Sequence, residues 1–216
     1  MTIAHPETST IFIDRFLATC EAYSVPAVIV INKCDLYDEG ETEYMKALVT
    51  LYESIGYKCF ITSALTGEGV EEVRNALKGK TTLFSGNSGV GKSSLINAIS
   101  PNFSAKTGEI SSVHDTGMHT TTFSEMYQLE EDTFIIDTPG VKGFGTIGFD
   151  KYEVGHFFPE IFKQSESCKF GNCTHTHEPG CAVREAVEQH FISESRYTSY
   201  LNILEDENET KYREKL

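Results

Sequence analysis

Over the first two-thirds of the chain, segments with the hydrophobic spacing of helices are interspersed with segments that have the pattern of strands. Apolar side chains recur at helical spacing in four segments, which are residues 11–23, 41–56, 69–79 and 92–100. Short runs rich in β-branched and aromatic residues lie between them and predict strands at residues 25–31, 57–64, 81–86, 121–129 and 132–140. Strands separated by helices of this length predict an α/β fold with a mostly parallel sheet and helices on both faces.

The pattern changes after about residue 150, where helical segments flank a cluster of cysteines and histidines. We therefore predict two domains, an α/β domain over residues 1–150 and a small helical domain over residues 151–216. A chain of 216 residues is long enough for one full domain with a buried core and a small second one.

Composition narrows the class of protein. The chain is 39% hydrophobic and 23% charged, which is ordinary for a globular protein. It has no apolar run near the roughly 18 residues that cross a bilayer, and residues 1–10 do not resemble a signal peptide. We expect a cytoplasmic protein without a membrane partner. The net charge of −14 argues against nonspecific nucleic-acid binding over the whole surface and leaves a local basic patch possible.

Residues 86–93 match the phosphate-loop pattern G-x-x-x-x-G-K-[ST], with a predicted strand before them and a predicted helix after them. Glycines allow the tight turn that aims backbone N–H groups and a helix N-terminus at phosphate oxygens. The pattern places Lys92 at the β- and γ-phosphates and the Ser93 hydroxyl at Mg²⁺. A glycine-rich connection without a ligand is the alternative, which the flanking elements disfavour. The predicted nucleotide contacts are Gly86, Asn87, Ser88, Gly89, Val90, Gly91, Lys92, Ser93 and Ser94.

Residues 32–35 are Asn-Lys-Cys-Asp and follow an apolar strand. The Asp35 carboxylate can accept from guanine N1–H and the 2-amino group, a donor pair that adenine lacks. Asn32 can bond neighbouring loops and the base edge, and the Lys33 stem can cover the base face. Alone, this motif is equally typical of a polar turn. A second predicted strand ends in a loop that can offer backbone N–H groups to guanine O6, at Ser63 and Ala64. Together with the phosphate loop, the two loops favour guanine over adenine.

A further strand ends in Asp137-Thr-Pro-Gly140. Asp137 can hold Mg²⁺ through a water molecule, and the Gly140 N–H can bond the γ-phosphate. Upstream, one hydroxyl among Thr120, Thr121 and Thr122 can ligate Mg²⁺, and Thr121 is our choice. A plain turn and a threonine-rich loop are the alternatives.

Many GTPases orient the attacking water with a glutamine shortly after the turn glycine, but Val141 and Lys142 follow Gly140 here. Hydrolysis then requires another group or a partner. His119 is the nearest candidate to orient or deprotonate water, and a solvent-facing loop histidine is the equal alternative. The predicted catalytic residues are His119, Lys92 and Thr121.

Three cysteines and two histidines crowd into residues 168–181. Without a secretion signal, this clustering predicts a metal site rather than disulfides. Three thiolates and one imidazole form a closed tetrahedral set that is typical of structural zinc, which leaves no position for a reactive water. The thiolates are Cys168, Cys173 and Cys181, and the imidazole is His175 or its neighbour His177.

The order of these motifs is the usual GTPase order after rotation, with guanine recognition first and the phosphate loop later. In this arrangement, the chain resembles the circularly permuted, small-ribosomal-subunit-dependent GTPase family RsgA, also called YjeQ or YloQ. The resemblance covers nearly the whole chain. It rests on the segments INKCDL, TSALTGEGV, GNSGVGKSSLINAI, HTTT, DTPG and CKFGNCTHTHEPGCAV.

The resemblance implies a circularly permuted Ras-like domain followed by a zinc domain, with His175 as the fourth zinc ligand. It also implies slow GTP hydrolysis that the small ribosomal subunit stimulates during its late maturation. Val141 and His119 match the family's hydrophobic replacement of glutamine and its histidine before the threonines. The expected cofactors are GTP or GDP, Mg²⁺ and one structural Zn²⁺. The expected partners of a monomer are the small subunit and its rRNA.

The chain departs from the family in two respects. The family's N-terminal OB-fold domain is missing, and only residues 1–4 represent an internal strand beside the guanine-loop strand. We therefore expect a fragment or a misassigned start. The missing glutamine also supports a GTP-gated assembly or checkpoint factor with negligible turnover. A zinc-dependent RNA-binding module with a vestigial nucleotide domain is the third hypothesis, which the intact Lys92 and Ser93 oppose.

Overall fold

The computed structural model describes the backbone of residues 1–100, 125–137 and 149–213 and the side chains of residues 1–100, 126–136 and 149–205. Its helices are α1 (Thr10–Ala22), α2 (Glu39–Ser54), α3 (Val70–Leu77), α4 (Lys92–Ile99), α5 (Pro159–Ser165), α6 (Ala182–Glu188) and α7 (Glu194–Arg213). Its strands are β1 (Val28–Ile31), β2 (Lys58–Ile61), β3 (Thr81–Phe84), β4 (Glu125–Glu130) and β5 (Thr133–Asp137). The predicted α/β class is confirmed. Among the described helices, none has the length and apolar character that crossing a membrane requires.

Local sequence explains where the helices next to the nucleotide motifs begin. At the start of α2, the Asp38 carboxylate accepts from Glu41 N–H over 2.8 Å, and the Glu41 carboxylate accepts from Asp38 N–H over 3.0 Å. This reciprocal pair is a capping box, which ends the guanine-loop segment and fixes the first turn of α2. Helix α4 begins at Lys92, directly after Gly91 in the left-handed conformation. The phosphate loop therefore leads straight into a helix N-terminus.

The five described strands form two sheets instead of one. Strand β3 pairs with β5 in parallel, with Phe84 opposite Asp137, and β4 lies antiparallel on the other side of β5. Because β3 and β5 are parallel, the phosphate loop and the Asp137 backbone lie at the same edge of this sheet. Strands β1 and β2 form the second sheet, and no pairing joins it to β3 within the described residues. The backbone of Met1 is hydrogen-bonded to Val30 and Asn32 beside β1, where residues 1–4 were expected.

The chain divides into two compact units, each with its own core. The first unit contains residues 1–7, 29–49 and 59–142, and the second contains residues 8–28, 50–58 and 143–216. Strands β2 and β5 and helices α3 and α4 enclose the core of the first unit, which consists of Phe60, Val70, Val73, Leu77, Leu95, Ile96, Ile99 and Ile135. The domain boundary near residue 150 stays a prediction.

The second unit is built from α1, the end of α2 and the helices after residue 149. Its core is formed by α1, α5, α6 and α7 and the segments that lead into the last three, and consists of Ala18, Val154, Phe158, Ile161, Cys181, Val183, Ala186, Ile192, Tyr200, Ile203 and Leu204. Helix α1 packs against α7 in this unit. The Cys168 and Cys173 side chains lie against the same core, so the cysteine cluster is an extension of it.

A buried ionic network joins four helices of the second unit. Arg196 on α7 is 1% exposed, and its guanidinium lies 2.7 Å from the Asp14 carboxylate on α1 and 2.6 Å from the Glu160 carboxylate on α5. Tyr52, on α2, donates its hydroxyl to the same Asp14 oxygen over 2.8 Å. The guanidinium also lies 4.6 Å from the ring centroid of Phe158. Charges this deeply buried depend on one another, so the network fixes how these helices pack.

Candidate nucleotide and metal sites

The phosphate loop closes around the ammonium group of Lys92. Its Nζ donates to the carbonyl of Gly86 over 2.6 Å and to the carbonyl of Asn87 over 2.9 Å. Gly89 and Gly91 have φ values of 84° and 87°, which side chains other than glycine adopt at a cost. The sequence therefore forms the turn by placing glycine where the backbone is left-handed, and it centres a cation in the loop.

The guanine loop, residues 32–37, approaches the phosphate loop closely at Gly91. A Cβ atom on Gly91 would lie 2.5 Å from Asn32 Nδ2, closer than non-bonded atoms can pack. The same Asn32 nitrogen donates to the Val90 carbonyl over 3.0 Å. Glycine at position 91 thus serves two purposes, the left-handed turn and the approach of the neighbouring loop.

Asn32 links the guanine loop to the phosphate loop and to the Ser-Ala loop, which contains Ser63 and Ala64. The residue is 3% exposed, and its Oδ1 accepts from the Thr62 hydroxyl and the Ala64 N–H, both over 3.1 Å. Its Nδ2 holds the phosphate loop through the Val90 carbonyl. The predicted bonds of Asn32 to nearby loops are therefore present. The Ala64 N–H, which we expected to face guanine, donates to Asn32 here.

Lys33 and Asp35 occupy the turn after β1. Lys33 is left-handed, with φ 66°, and its Nζ donates to the carbonyl of His5 over 2.5 Å. Asp35 is exposed and lies in a 3₁₀ turn over Cys34–Leu36. The Ser63 side chain is buried, and its hydroxyl accepts from Thr66 N–H over 3.0 Å. The exposed carboxylate lies on the same turn as the buried Asn32, an arrangement suited to contacting a ligand from solvent.

The hydrolytic end of the predicted site lies mostly outside the described residues. The Asp137 backbone ends β5 opposite Phe84, at the edge where the phosphate loop begins. The Asp137 side chain, His119, Thr120–Thr122 and Gly140–Lys142 are not among the described parts. The predictions for these residues stay predictions.

Two features of this site were missed at the sequence level. Residues 1–6 lie against both nucleotide loops, because His5 accepts from Lys33 and a Cβ on Gly89 would lie 3.4 Å from Pro6 Cδ. The Tyr37 hydroxyl accepts from Ile3 N–H over 2.9 Å and donates to the Asn32 carbonyl. A backbone carbonyl has no sequence signature. The tyrosine was visible in the sequence, yet nothing in its spacing indicated this bond.

The four predicted metal ligands lie together in the second unit. The candidate ligand atoms of Cys168, Cys173, His175 and Cys181 all lie within 4.8 Å of one another. His175 Nδ1 is 3.6 Å from the Cys168 sulfur and 3.5 Å from the Cys181 sulfur. The alternative histidine, His177, is exposed, and its Nδ1 lies 2.8 Å from the Thr176 hydroxyl.

Neighbouring side chains fix the backbone around the predicted ligand His175. The Tyr197 and Tyr200 hydroxyls, both on α7, donate to the carbonyls of His175 and Thr174 over 2.6 Å and 2.7 Å. The Glu178 carboxylate accepts from the backbone N–H groups of Thr174, Thr176 and His177. Burial alone would raise the pKa of Glu178, but the Thr174 hydroxyl and the backbone N–H groups of Thr174, Glu178 and His177 lower it to about 2. Such outer contacts orient metal ligands.

The chemistry of the four ligands fits a divalent cation that prefers sulfur and nitrogen. Burial raises the pKa of Cys173 to about 12 and also raises that of Cys181, so a cation must displace their protons. Burial lowers the pKa of His175, which favours the neutral imidazole that binds metal. The cluster could therefore hold a metal ion.

Comparison with known proteins agrees with these observations. The family model described as RsgA GTPase matches residues 1–147. The chain belongs to the RsgA GTPase family. A protein from Bacteroides fragilis named "Small ribosomal subunit biogenesis GTPase RsgA" is 64% identical over 213 residues, which are 99% of this chain and 69% of that protein.

Two solved structures of RsgA relatives share the fold. YjeQ from Thermotoga maritima has a TM-score of 0.81 and 38% identity, over 96% of this chain and 69% of that one. YloQ, titled a circularly permuted GTPase, has a TM-score of 0.79 and 32% identity, over 97% of this chain and 67% of that one. The prediction of a circularly permuted GTPase fold is confirmed, and the chain is a GTPase whose nucleotides are GTP and GDP with Mg²⁺.

Proposed function

We propose that the chain hydrolyses GTP as part of the late maturation of the small ribosomal subunit, and that this subunit stimulates the reaction. Support comes from the relative in Bacteroides fragilis, whose name assigns it to biogenesis of that subunit. The observation that carries the proposal is the Asn32 side chain, which joins the guanine loop, the Ser-Ala loop and the phosphate loop into one site.

Each nucleotide group has a proposed partner in this chain. Asp35 accepts from the guanine edge, Lys92 binds the β- and γ-phosphates, and the backbone of residues 86–94 cradles them. Lys92 gives up its bonds to the loop carbonyls when phosphate oxygens replace them. Ser93 and Thr121 hold Mg²⁺, with Asp137 and Gly140 at the γ-phosphate. His119 orients or deprotonates the water, because Val141 replaces the usual glutamine.

The second unit has a proposed structural role. Zn²⁺, one per chain, binds Cys168, Cys173, His175 and Cys181, and four protein ligands exclude a metal-bound water. We further propose domains over residues 1–150 and 151–216, a monomeric state, a cytoplasmic location and the subunit's rRNA as the contacted partner.

GTP turnover with and without small ribosomal subunits tests the proposal. We expect the subunits to increase turnover of the wild type, and the variant His119→Ala to lose most of that increase. The variant His177→Ala is the matched control, because it removes an exposed histidine outside the nucleotide loops. Equal turnover with and without subunits would contradict the proposed enzyme.

The residues after Gly140 favour a second candidate function, because Val141 and Lys142 stand where many GTPases have the glutamine that orients the attacking water. The chain would then act as a GTP-gated assembly factor that binds the subunit only with triphosphate and turns over negligibly. Tight, non-hydrolysable-GTP-dependent subunit binding without stimulated turnover would support this alternative, whereas stimulated multiple turnover would exclude it.

A further inference from the structure

Tyr37 closes the guanine loop into a ring. Its hydroxyl donates to the Asn32 carbonyl at the start of the loop and accepts from Ile3 N–H over 2.9 Å. Its own N–H donates to the Cys34 carbonyl over 3.4 Å. The phenol therefore ties the last residue of the loop to its first residue and both to the segment beside β1.

The Asn32 carbonyl belongs to the peptide plane that leads into left-handed Lys33. The Asn32 side chain is fixed separately, by Thr62, Ala64 and Val90. Without the Tyr37 bond, this peptide plane could rotate while the side chain stayed in place. Rotation of this plane would change the direction of the chain at Lys33. It would therefore displace the carboxylate of Asp35, which follows two residues after Lys33.

We propose that Tyr37 is a positioning residue that orients the Asp35 carboxylate toward the guanine edge and so contributes to guanine selectivity. This inference rests on the proposed role of Asp35. Guanine donates to that carboxylate from N1–H and from the 2-amino group, whereas hypoxanthine donates only from N1–H. A two-point contact requires better alignment than a one-point contact, so misorientation weakens guanine binding more.

Burial of Tyr37 supports the donor role of its hydroxyl. The side chain is half-buried, and burial raises the pKa of Tyr37 above its usual value. The phenol therefore stays protonated across the physiological range and always has its hydrogen to donate.

Binding of GDP and IDP to the variant Tyr37→Phe tests the inference. Loss of the two half-buried hydrogen bonds of the hydroxyl, to the Asn32 carbonyl and from Ile3 N–H, should raise the Kd for GDP about three- to tenfold and raise the Kd for IDP less. The ratio of the two affinities should therefore fall. Tyr44→Phe is the matched control, since Tyr44 lies on α2 with 49% of its surface exposed.

An unchanged affinity ratio would overturn the inference, whether both Kd values rise equally or neither changes. Equal rises with a lower Tm would indicate a purely structural tyrosine. Asp35→Asn separates this failure from failure of the proposed function. If that variant binds GDP as the wild type does, the guanine assignment itself is wrong. If it weakens GDP while Tyr37→Phe preserves the ratio, only the role of Tyr37 is wrong.

Discussion

The side-chain nitrogen of Asn32 donates to the carbonyl of Val90 over 3.0 Å, which joins the end of β1 to the phosphate loop. The two residues are 58 positions apart in the chain. Through this bond, the loop that is proposed to select the base and the loop that is proposed to bind phosphate share one buried side chain. Loss of this side chain is therefore expected to weaken the binding of both the base and the phosphates.

Asn32→Ala should weaken GDP binding at least about tenfold. The substitution removes the Asn32 partner of the Ala64 N–H and the Val90 carbonyl and leaves the Thr62 hydroxyl only its longer bond to the Ile31 carbonyl. A polar group left unpaired out of reach of water costs about 1–3 kcal/mol, so the three loops are held together less firmly. Titration calorimetry with GDP measures the loss. Asn32→Asp is the matched variant, because it keeps the acceptor for Thr62 and Ala64 and replaces the donor to Val90 with a carboxylate oxygen. Wild-type affinity in the Asp variant would show that the bond to Val90 does not matter.

Gly91→Ala should reduce both stability and GDP affinity. Its Cβ would lie 2.5 Å from Asn32 Nδ2, and its φ of 87° is strained for alanine. Gly79→Ala is the control for strain alone, because Gly79 has φ 69° and a Cβ there meets nothing within 4 Å. We expect chemical denaturation to show a loss of about 1 kcal/mol for Gly79→Ala and clearly more for Gly91→Ala. Equal losses would mean that the loops separate freely.

The local elements of this fold could be predicted because each carries its own signal. The apolar spacing of residues 41–56 became α2, and the β-branched run of residues 25–31 became β1, with ends shifted by a few residues. The phosphate-loop glycines predicted the turn before α4, since left-handed backbone favours glycine at positions 89 and 91.

Tertiary relationships could not be predicted in the same way. Asp14 and Arg196 are far apart in the chain, and each alone is typical of a solvated helix face, yet they form a buried pair. The contacts of His5 and Ile3 with the guanine loop use backbone atoms, which every residue has. The division of the strands into two sheets depends on pairing partners, and the pattern within a strand does not specify its partner.

His175→Ala should abolish stoichiometric zinc binding, and His177→Ala should preserve it. The His175 imidazole lies within 3.6 Å of two cysteine sulfurs, whereas the His177 imidazole is exposed and hydrogen-bonded to the Thr176 hydroxyl. Elemental analysis of purified protein measures zinc per chain. Because the cysteines lie against the core of the second unit, a chelator should also lower the Tm of the wild type. If His177→Ala lost zinc and His175→Ala kept it, the fourth ligand would be His177 and not His175.

Arg196→Leu should destabilise the protein by about 3–5 kcal/mol, because it leaves the Asp14 and Glu160 carboxylates buried without their cation. Arg74→Leu is the matched control. Arg74 lies 2.9 Å from Glu130, but both side chains are more than 40% exposed, so water replaces the partner and the loss should be much smaller. Urea denaturation measures both variants. Similar losses for the two would mean that solvent reaches Arg196. Adding Asp14→Asn to Arg196→Leu should recover part of the stability, because one of the two buried charges left without a cation is then removed, and Tyr52 can still donate to the amide oxygen.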